Sequence, residues 1–399
     1  MRAVGYGFTA VVLGALLAAR GYSPLRTGVL LTALIAGTAI ASLVVGRIAD
    51  RIGRRRCYAR FFLAMAVAGA LVAVGAPFWV LLAVALTGTL STDVVDNGPA
   101  TTLEQVILAN EDAGTSRVYG RYNAVGAAAG ALGALAAALP GLGRHGAGGH
   151  AWLFAVLIPA GVAGALFAAR LSAAVETQAG DATTNRRGRL GPSRRVVRRM
   201  AALFAVDAGG GGLVTTSFLS YLFTTRYGVS VAALGWLFFT VAVVQAVSVL
   251  IAPRLARRFG LVATMVGTHL PSNLLLAAVA FAPNFWSAAV LLLARTTLSQ
   301  MDVPTRQALV MTAVTPAERT AAATVTNAAR YTVRPIGPLV AGAVQQIALG
   351  APLVVAGAVK AGYDLALWRW ARRLPLGTQP ARAGRAPTHP VPTPTGEQP

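Results

Sequence analysis

The sequence predicts an all-α membrane protein: twelve transmembrane helices arranged as two six-helix bundles related by a pseudo-two-fold axis. Three observations carry this. Of 399 residues, 55% are hydrophobic and 12% charged, whereas a soluble domain carries roughly 25% charged residues. The mean hydropathy is +0.62. Apolar runs recur twelve times, and twelve spans of about 20–25 residues use about 240–300 residues, leaving short loops, one linker and a tail. The first half of the sequence also reappears in the second at a nearly fixed offset.

The runs fall at 4–20, 26–46, 58–76, 78–107, 118–139, 151–170, 200–222, 231–252, 262–282, 285–314, 320–347 and 352–371. Their helical periodicity is weak because both faces are apolar, as inside a helical bundle. Between them the chain divides into residues 1–171 (first bundle), 172–199 (a basic linker or surface helix), 200–373 (second bundle) and 374–399. The last segment holds Pro387, Pro390, Pro392 and Pro394 and cannot build a packed core, so disorder is expected there.

The formal charge of +22 comes from 35 Lys+Arg against 13 Asp+Glu. Arginines cluster in short segments between apolar runs, as topology signals do and nucleic-acid grooves do not. Arg51, Arg54, Arg55, Arg56 and Arg60 follow span two. Arg170, Arg186, Arg187, Arg189, Arg194, Arg195, Arg198 and Arg199 fill the linker region, Arg254, Arg257 and Arg258 follow span eight, and Arg369, Arg372 and Arg373 follow span twelve. With twelve spans all these clusters fall on one side, so both termini are expected in the cytoplasm and the protein in the plasma membrane. Cys57 is the single cysteine, which excludes an intrachain disulfide and a Cys-rich metal site.

Gly21, Gly28, Gly53 and Phe78-Trp79 reappear 207 residues later as Gly228, Gly235, Gly260 and Phe285-Trp286. Beyond an insertion around 92–99 the offset becomes 202, pairing Gln105 with Gln307 and Arg117 with Arg319. A 6+6 duplication is the parallel-repeat architecture of transporters, with substrate held near the midplane between the halves. Span seven runs from Met200 to Gly228 but its mate only from Met1 to Gly21, so span one is expected to lack about seven residues or more at its start.

The loop Gly46-Arg47-Ile48-Ala49-Asp50-Arg51-Ile52-Gly53-Arg54-Arg55-Arg56 resembles the loop-2/3 signature of the major facilitator superfamily, G-x-L-A-D-R-x-G-R-R. The resemblance implies two bundles rocking about a central cavity, with Gly46, Asp50, Arg51, Gly53, Arg54 and Arg55 as a conformational latch. Charges exchanging partners between two packings bias such an equilibrium by about 1–3 kcal/mol. The second copy has Arg257 where the aspartate stands, which puts a latch there in doubt. The strings Met301-Asp302-Val303-Pro304-Thr305-Arg306-Gln307 and His269-Leu270-Pro271-Ser272-Asn273 look like those of bacterial members without pointing to a substrate, and the chain as a whole resembles a bacterial drug- or metabolite-exporter-like member. Two antiporter features are missing. No arginine stands in span four at Leu86-Thr87-Gly88-Thr89, its symmetric place in span ten holding Arg295, and the Gly-Pro pair lies in span eleven, at Gly337-Pro338.

Charged residues inside spans cost about 2.5–3.5 kcal/mol each and by default line a cavity or a proton path. Asp93 and Asp96 precede Asn97-Gly98-Pro99 in span four, where an interrupted helix would free backbone dipoles for a ligand; the alternative is a cytoplasmic loop. Asp207 precedes Gly209, Gly210, Gly211 and Gly212 in span seven, a setting for a proton-binding carboxylate or a structural pair with a buried arginine. Asn327, Arg330 and Arg334 share a face of span eleven and suit an anion, or neutralise Asp207 or Asp302. Glu104 and Arg306, symmetry mates of opposite charge beside Gln105 and Gln307, form a candidate inner gate. Lys360 and Asp364, at i and i+4, are expected to pair, and His269 to be a packed polar residue.

No GxxxxGK[ST] loop and no nucleophile elbow occur, so neither ATP-driven transport nor an enzyme has residues to stand on. The expectation is a monomeric secondary carrier in a lipid bilayer, with no cofactor or metal. It would export a small organic molecule in exchange for protons, with the proton gradient as energy source. Alternatives are a carrier of an organic anion and a transporter-like sensor that moves nothing. Its partners would be lipid, protons and a small-molecule substrate, not nucleic acid.

Overall fold

The computed structural model describes residues 1–91, 104, 116–139, 151–172, 190–315 and 318–372. Asp93, Asp96, Gln105 and the Pro-rich tail lie outside them. Within them the fold is the twelve-span, two-bundle architecture. The first half contains α1 (Arg2–Ala19), α2 (Pro24–Ile52), α3 (Arg54–Ala73), α4 (Phe78–Leu86), α5 (Ser116–Ala136), a 3-10 turn (Ala151–Val156) and α6 (Leu157–Ala169). The second contains α7 (Arg194–Gly212), α8 (Thr216–Tyr227), α9 (Val231–Phe259), α10 (Leu261–Val279), α11 (Phe285–Ser299), α12 (Asp302–Thr312), α13 (Arg319–Val333), α14 (Ile336–Gln345) and α15 (Ala351–Ala371). Seven helical stretches are long and apolar enough to cross a bilayer by themselves.

Spans seven, ten and eleven are each broken in two. Four consecutive glycines end α7, a proline sits in the first turn of α12, and Pro335 separates α13 from α14. Arg51 and the trio Arg254, Arg257 and Arg258 ride on the last turns of α2 and α9 rather than in loops. Likewise α7 begins at Arg194, so the end of the expected linker is helical.

The repeat is legible in the backbone. Gly21 and Gly228 have φ of +66° and +63°, Gly53 and Gly260 +97° and +86°, values that side-chain-bearing residues rarely adopt. Ser23 and Ser230 cap α2 and α9, accepting hydrogen bonds from the N–H of Arg26 and Ala233. Trp79 and Trp286, each 75% exposed, stand at the starts of α4 and α11, where an aromatic ring meets the membrane interface.

The two halves meet at the end of the molecule that carries the turns before α2 and α9. There α1 packs on α8, α2 on α14 and α5 on α9. A Cβ on Gly14 would fall onto the Ser217 carbonyl, and one on Gly28 onto that of Pro338. The mate of Gly28, Gly235, approaches Ala134 and Ala138 in the same way. Small residues let these backbones close up. The hydroxyls of Ser217 and Ser220 donate to the carbonyls of Ala10 (2.8 Å) and Val11 (2.6 Å), and Ala10 and Ser217 are themselves mates at offset 207. One hydrophobic core, including Leu13, Leu16, Phe218 and Phe223, spans both halves at this end. Toward the arginine-rich end it divides: Met200, Phe204, Leu309 and Leu367 form one cluster in the second half, and Phe62, Met65 and Ala165 a separate one in the first. Among the described residues, the arrangement is closed at the turn end and split at the arginine-rich end.

Candidate functional site: a buried charge cluster in the second half

Five spans of the second half contribute to one cluster. Asp207 (α7) is buried and bonded through Oδ1 to Lys360 Nζ (α15) at 2.5 Å; its Oδ2 lies 3.5 Å from Arg306 Nη1 (α12). Arg306 is also buried, binds Asp302 one turn back at 2.7 Å and stacks over the Phe204 ring. The glycines of α7 admit the lysine, since a Cβ on Gly210 would come within 2.7 Å of Lys360 Cγ. Across the cluster, His269 Nδ1 (α10) lies 2.8 Å from Asp364 Oδ1 (α15), and Asn273 Nδ2 donates to Asp364 Oδ2 at 2.8 Å. His269 Nε2 is 3.8 Å from Asp207 Oδ1.

Arg295 (α11) and Arg330 (α13) are half-buried on the rim, within electrostatic reach of Asp207 and Asp302. The Nε of each is buried without a hydrogen-bond partner. Tyr363 Oη and Asn273 Oδ1 are likewise buried and unpartnered, and such groups are costly unless something fills the site. Among the described residues, four cations (Arg295, Arg306, Arg330 and Lys360) thus surround three carboxylates (Asp207, Asp302 and Asp364).

One expectation is corrected. Lys360 and Asp364 do not neutralise each other. They occupy one face of α15, but Lys360 turns to Asp207 on α7 and Asp364 to His269 and Asn273 on α10. Inside a bundle the facing helix offers a better-placed partner than the next turn. His269 is a packed polar residue as expected, buried and paired with Asp364, with Asp207 3.8 Å from its other nitrogen. Glu104 and Arg306 do not pair with each other in this conformation. Glu104 takes Arg2 Nη2 at 2.8 Å and the hydroxyls of Tyr58 and Tyr122. Each mate has its counter-charge inside its own half, on the side where the halves are split.

Asp207 is held by Lys360 and Arg306, the structural-pair alternative of its two readings. Asn327 is exposed, as is Gln307. Arg334 sits at the α13–α14 break, its carbonyl against Gly212. In the loop signature, Asp50 lies on the last turn of α2, and its side chain, like the local environment of Gly46, is outside the described residues. Gly53 makes the turn into α3, Arg54 is buried, Arg51 is exposed, and Arg55 donates to the Ala169 carbonyl at 2.6 Å. Among the described residues no group of three or more His, Cys, Asp or Glu could hold a metal.

The family model of the Major Facilitator Superfamily matches residues 1–338. An uncharacterised membrane protein of Saccharomyces cerevisiae, YJR124C, is 24% identical over 380 residues, covering 86% of this chain and 85% of that protein. The nucleoside transporter NupG superposes with a TM-score of 0.71 at 18% identity, over 94% of this chain and 96% of that one. The inward-open xylose transporter XylE of E. coli does so at 0.67 and 14%, over 92% and 93%. At these identities the structures speak for the fold, and the family model for the lineage. The chain belongs to the major facilitator superfamily and is a membrane transporter of that type.

Proposed function

We propose that the protein is a secondary carrier that moves a small organic anion across the plasma membrane by alternating access, with the charge cluster of the second half as its binding site. The observation that carries this reading is the excess of cations over carboxylates, with two guanidinium Nε groups lacking partners. A planar guanidinium is suited to a carboxylate or phosphate oxygen pair. If the arginine-rich end is cytoplasmic, as charge asymmetry argues, the split at that end is an inward-open state. The shared core at the other end is then the closed outer gate.

Proteoliposomes loaded with radiolabelled benzoate or succinate, beside a neutral sugar and an organic cation of similar size, test this. Anion flux is expected. Arg295→Ala and Arg330→Ala should lower it by about tenfold or more, the loss of a charge-assisted hydrogen bond, without unfolding the protein. Flux of the neutral or cationic probe alone, or arginine variants as active as the parent, would overturn it.

A second reading, export of a small molecule in exchange for protons, is favoured by the juxtaposition of Asp207, His269 and Asp364. Under it, substrate and proton compete, and an inward-directed proton gradient drives the substrate out.

A further inference from the structure

We propose that His269 is a proton-binding site of this carrier, and that its protonation transfers Asp207 from Lys360 to the imidazolium, freeing the lysine ammonium for an anion. The second half of the statement rests on the anion reading above; the first does not.

The geometry fixes the ring. Asp364, fully buried, already receives an N–H from Asn273, and its other oxygen faces His269 Nδ1 at 2.8 Å. Asn273 Nδ2 also lies 3.2 Å from Nδ1, but its shorter bond goes to Asp364 Oδ2. With Asp364 an ionised carboxylate, which only accepts, the hydrogen of the neutral ring is assigned to Nδ1 and Nε2 is left as a bare acceptor. That acceptor faces another acceptor, Asp207 Oδ1, at 3.8 Å. The distance is too long for a hydrogen bond, and no hydrogen lies between the two atoms. One proton from water, added to Nε2, makes it a charged donor. A shift of about 1 Å then brings the pair to the 2.7–2.9 Å of a charge-assisted bond.

The oxygen it would take is the one Lys360 holds. Oδ2 is occupied by Arg306, which is anchored by Asp302. The lysine is the partner free to leave: its stem is flexible and lies along Gly210 and Gly211, where α7 has no side chains to confine it.

Every charged group facing the imidazole enters the balance. Helix α15 brings Lys360, Asp364 and the Tyr363 ring, edge-on at 6.0 Å. Asp207 comes from α7, Asp302 and Arg306 from α12, Arg295 from α11 and Arg330 from α13. Helix α9, packed on the other side, carries only Arg254, Arg257 and Arg258, exposed at its far end. A proton added to this set increases an existing excess of positive charge, so an anion and a proton reinforce each other's binding. They then load together and travel in the same direction, which is cotransport rather than exchange.

Two measurements test this on the full-length protein. With histidine 15N-labelled and no substrate present, NMR spectra recorded between about pH 5 and pH 8 should show one resonance, missing from H269Q, in both its neutral and its imidazolium form. Asp207→Asn should change the proportion of the two forms at a given pH, and Asp364→Asn, which keeps the shape, should change it too if H269Q fails to fold. A His269 resonance locked in one state across that range overturns the proposal. In proteoliposomes, a pH gradient should accumulate benzoate on the side the protons enter, at least tenfold above the no-gradient level. H269Q should lose the gradient-driven accumulation, beyond whatever fall its gradient-free benzoate exchange shows. Gradient-driven accumulation surviving in H269Q, or benzoate moving against the proton flow, also overturns it. If the parent carries no benzoate at all, the anion reading falls and the NMR titration alone judges the proton site.

Discussion

Replacing Gly14 by alanine should shift the protein away from the conformation described here. The Cβ would lie 2.7 Å from Tyr221 N and 2.8 Å from Ser220 Cβ, and would fall onto the Ser217 carbonyl, whereas ordinary contact begins at 3.4 Å. These partners are mostly backbone atoms of α8 and cannot rotate away, so α1 and α8 must separate by about 1 Å. That separation stretches the Ser217 and Ser220 hydrogen bonds to α1, worth about 1 kcal/mol each, and adds an overpacking cost of about 1–3 kcal/mol. The closed turn end therefore loses about 3–5 kcal/mol, a shift of about 150- to 5000-fold toward a state open there. Spin labels on Arg56→Cys and Arg258→Cys, both exposed at the arginine-rich end, report the change once Cys57 is replaced by serine. The parent should give one long distance and G14A a new, shorter population. Gly267→Ala, which meets no atom within 4 Å, is the control. A well-folded G14A with the parental distance distribution would refute the reasoning.

Three other outcomes are expected. Arg306→Ala strands Asp207 and Asp302 and should destabilise the protein by about 3–5 kcal/mol. Asp302→Asn in the same chain should restore much of this, and an unaltered melting temperature in detergent for R306A would count against the paired cluster. Asp50→Asn should reduce flux about 5- to 150-fold while expression and substrate affinity hold, because the residue biases conformations; parental flux would rule out a latch. Glu318, in the loop before α13, is held below the usual carboxylate range by hydrogen bonds from Ser193, the Gly191 N–H and the Thr315 hydroxyl. Its contribution to docking the linker is complete above about pH 4.3 and fades as pH falls through the lowered value. Hydrogen exchange at the start of α7 should therefore quicken with acid in the parent and be pH-independent, beyond the intrinsic rate, in E318Q.

The parts of the fold that depend on backbone geometry were legible in the sequence. Gly21, Gly28 and Gly53 recur as Gly228, Gly235 and Gly260, and each recurrence has a cause: two pairs need positive φ and one brings helices of opposite halves into contact. Spacing rules served the charge cluster less well. The i,i+4 rule pairs Lys360 with Asp364 on an exposed helix, but in a bundle the partner is chosen by which helix faces which. Sequence spacing says nothing about that across the 153 positions separating Asp207 from Lys360. The expectation treated His269 by itself; its i,i+4 spacing to Asn273 was a signal left unused, and it gains meaning only once Asp364 is set opposite. Symmetry predicted that Glu104 and Arg306 occupy equivalent places, which does not fix whether equivalent places touch.

The two polar clusters described above are each closed within one half, and the turn-end interface is built from apolar side chains, carbonyl-to-glycine contacts and a few uncharged hydroxyl-to-carbonyl hydrogen bonds. Prising that interface apart exposes apolar surface to water, and such exposure carries a positive heat-capacity change. The rate of switching should therefore respond to temperature along a curved Eyring plot and respond little to ionic strength, because no ion pair among the described residues has to be broken between the halves. Opening of the turn end, unlike the charged latch at the other end, is therefore the step expected to answer to warming rather than to salt.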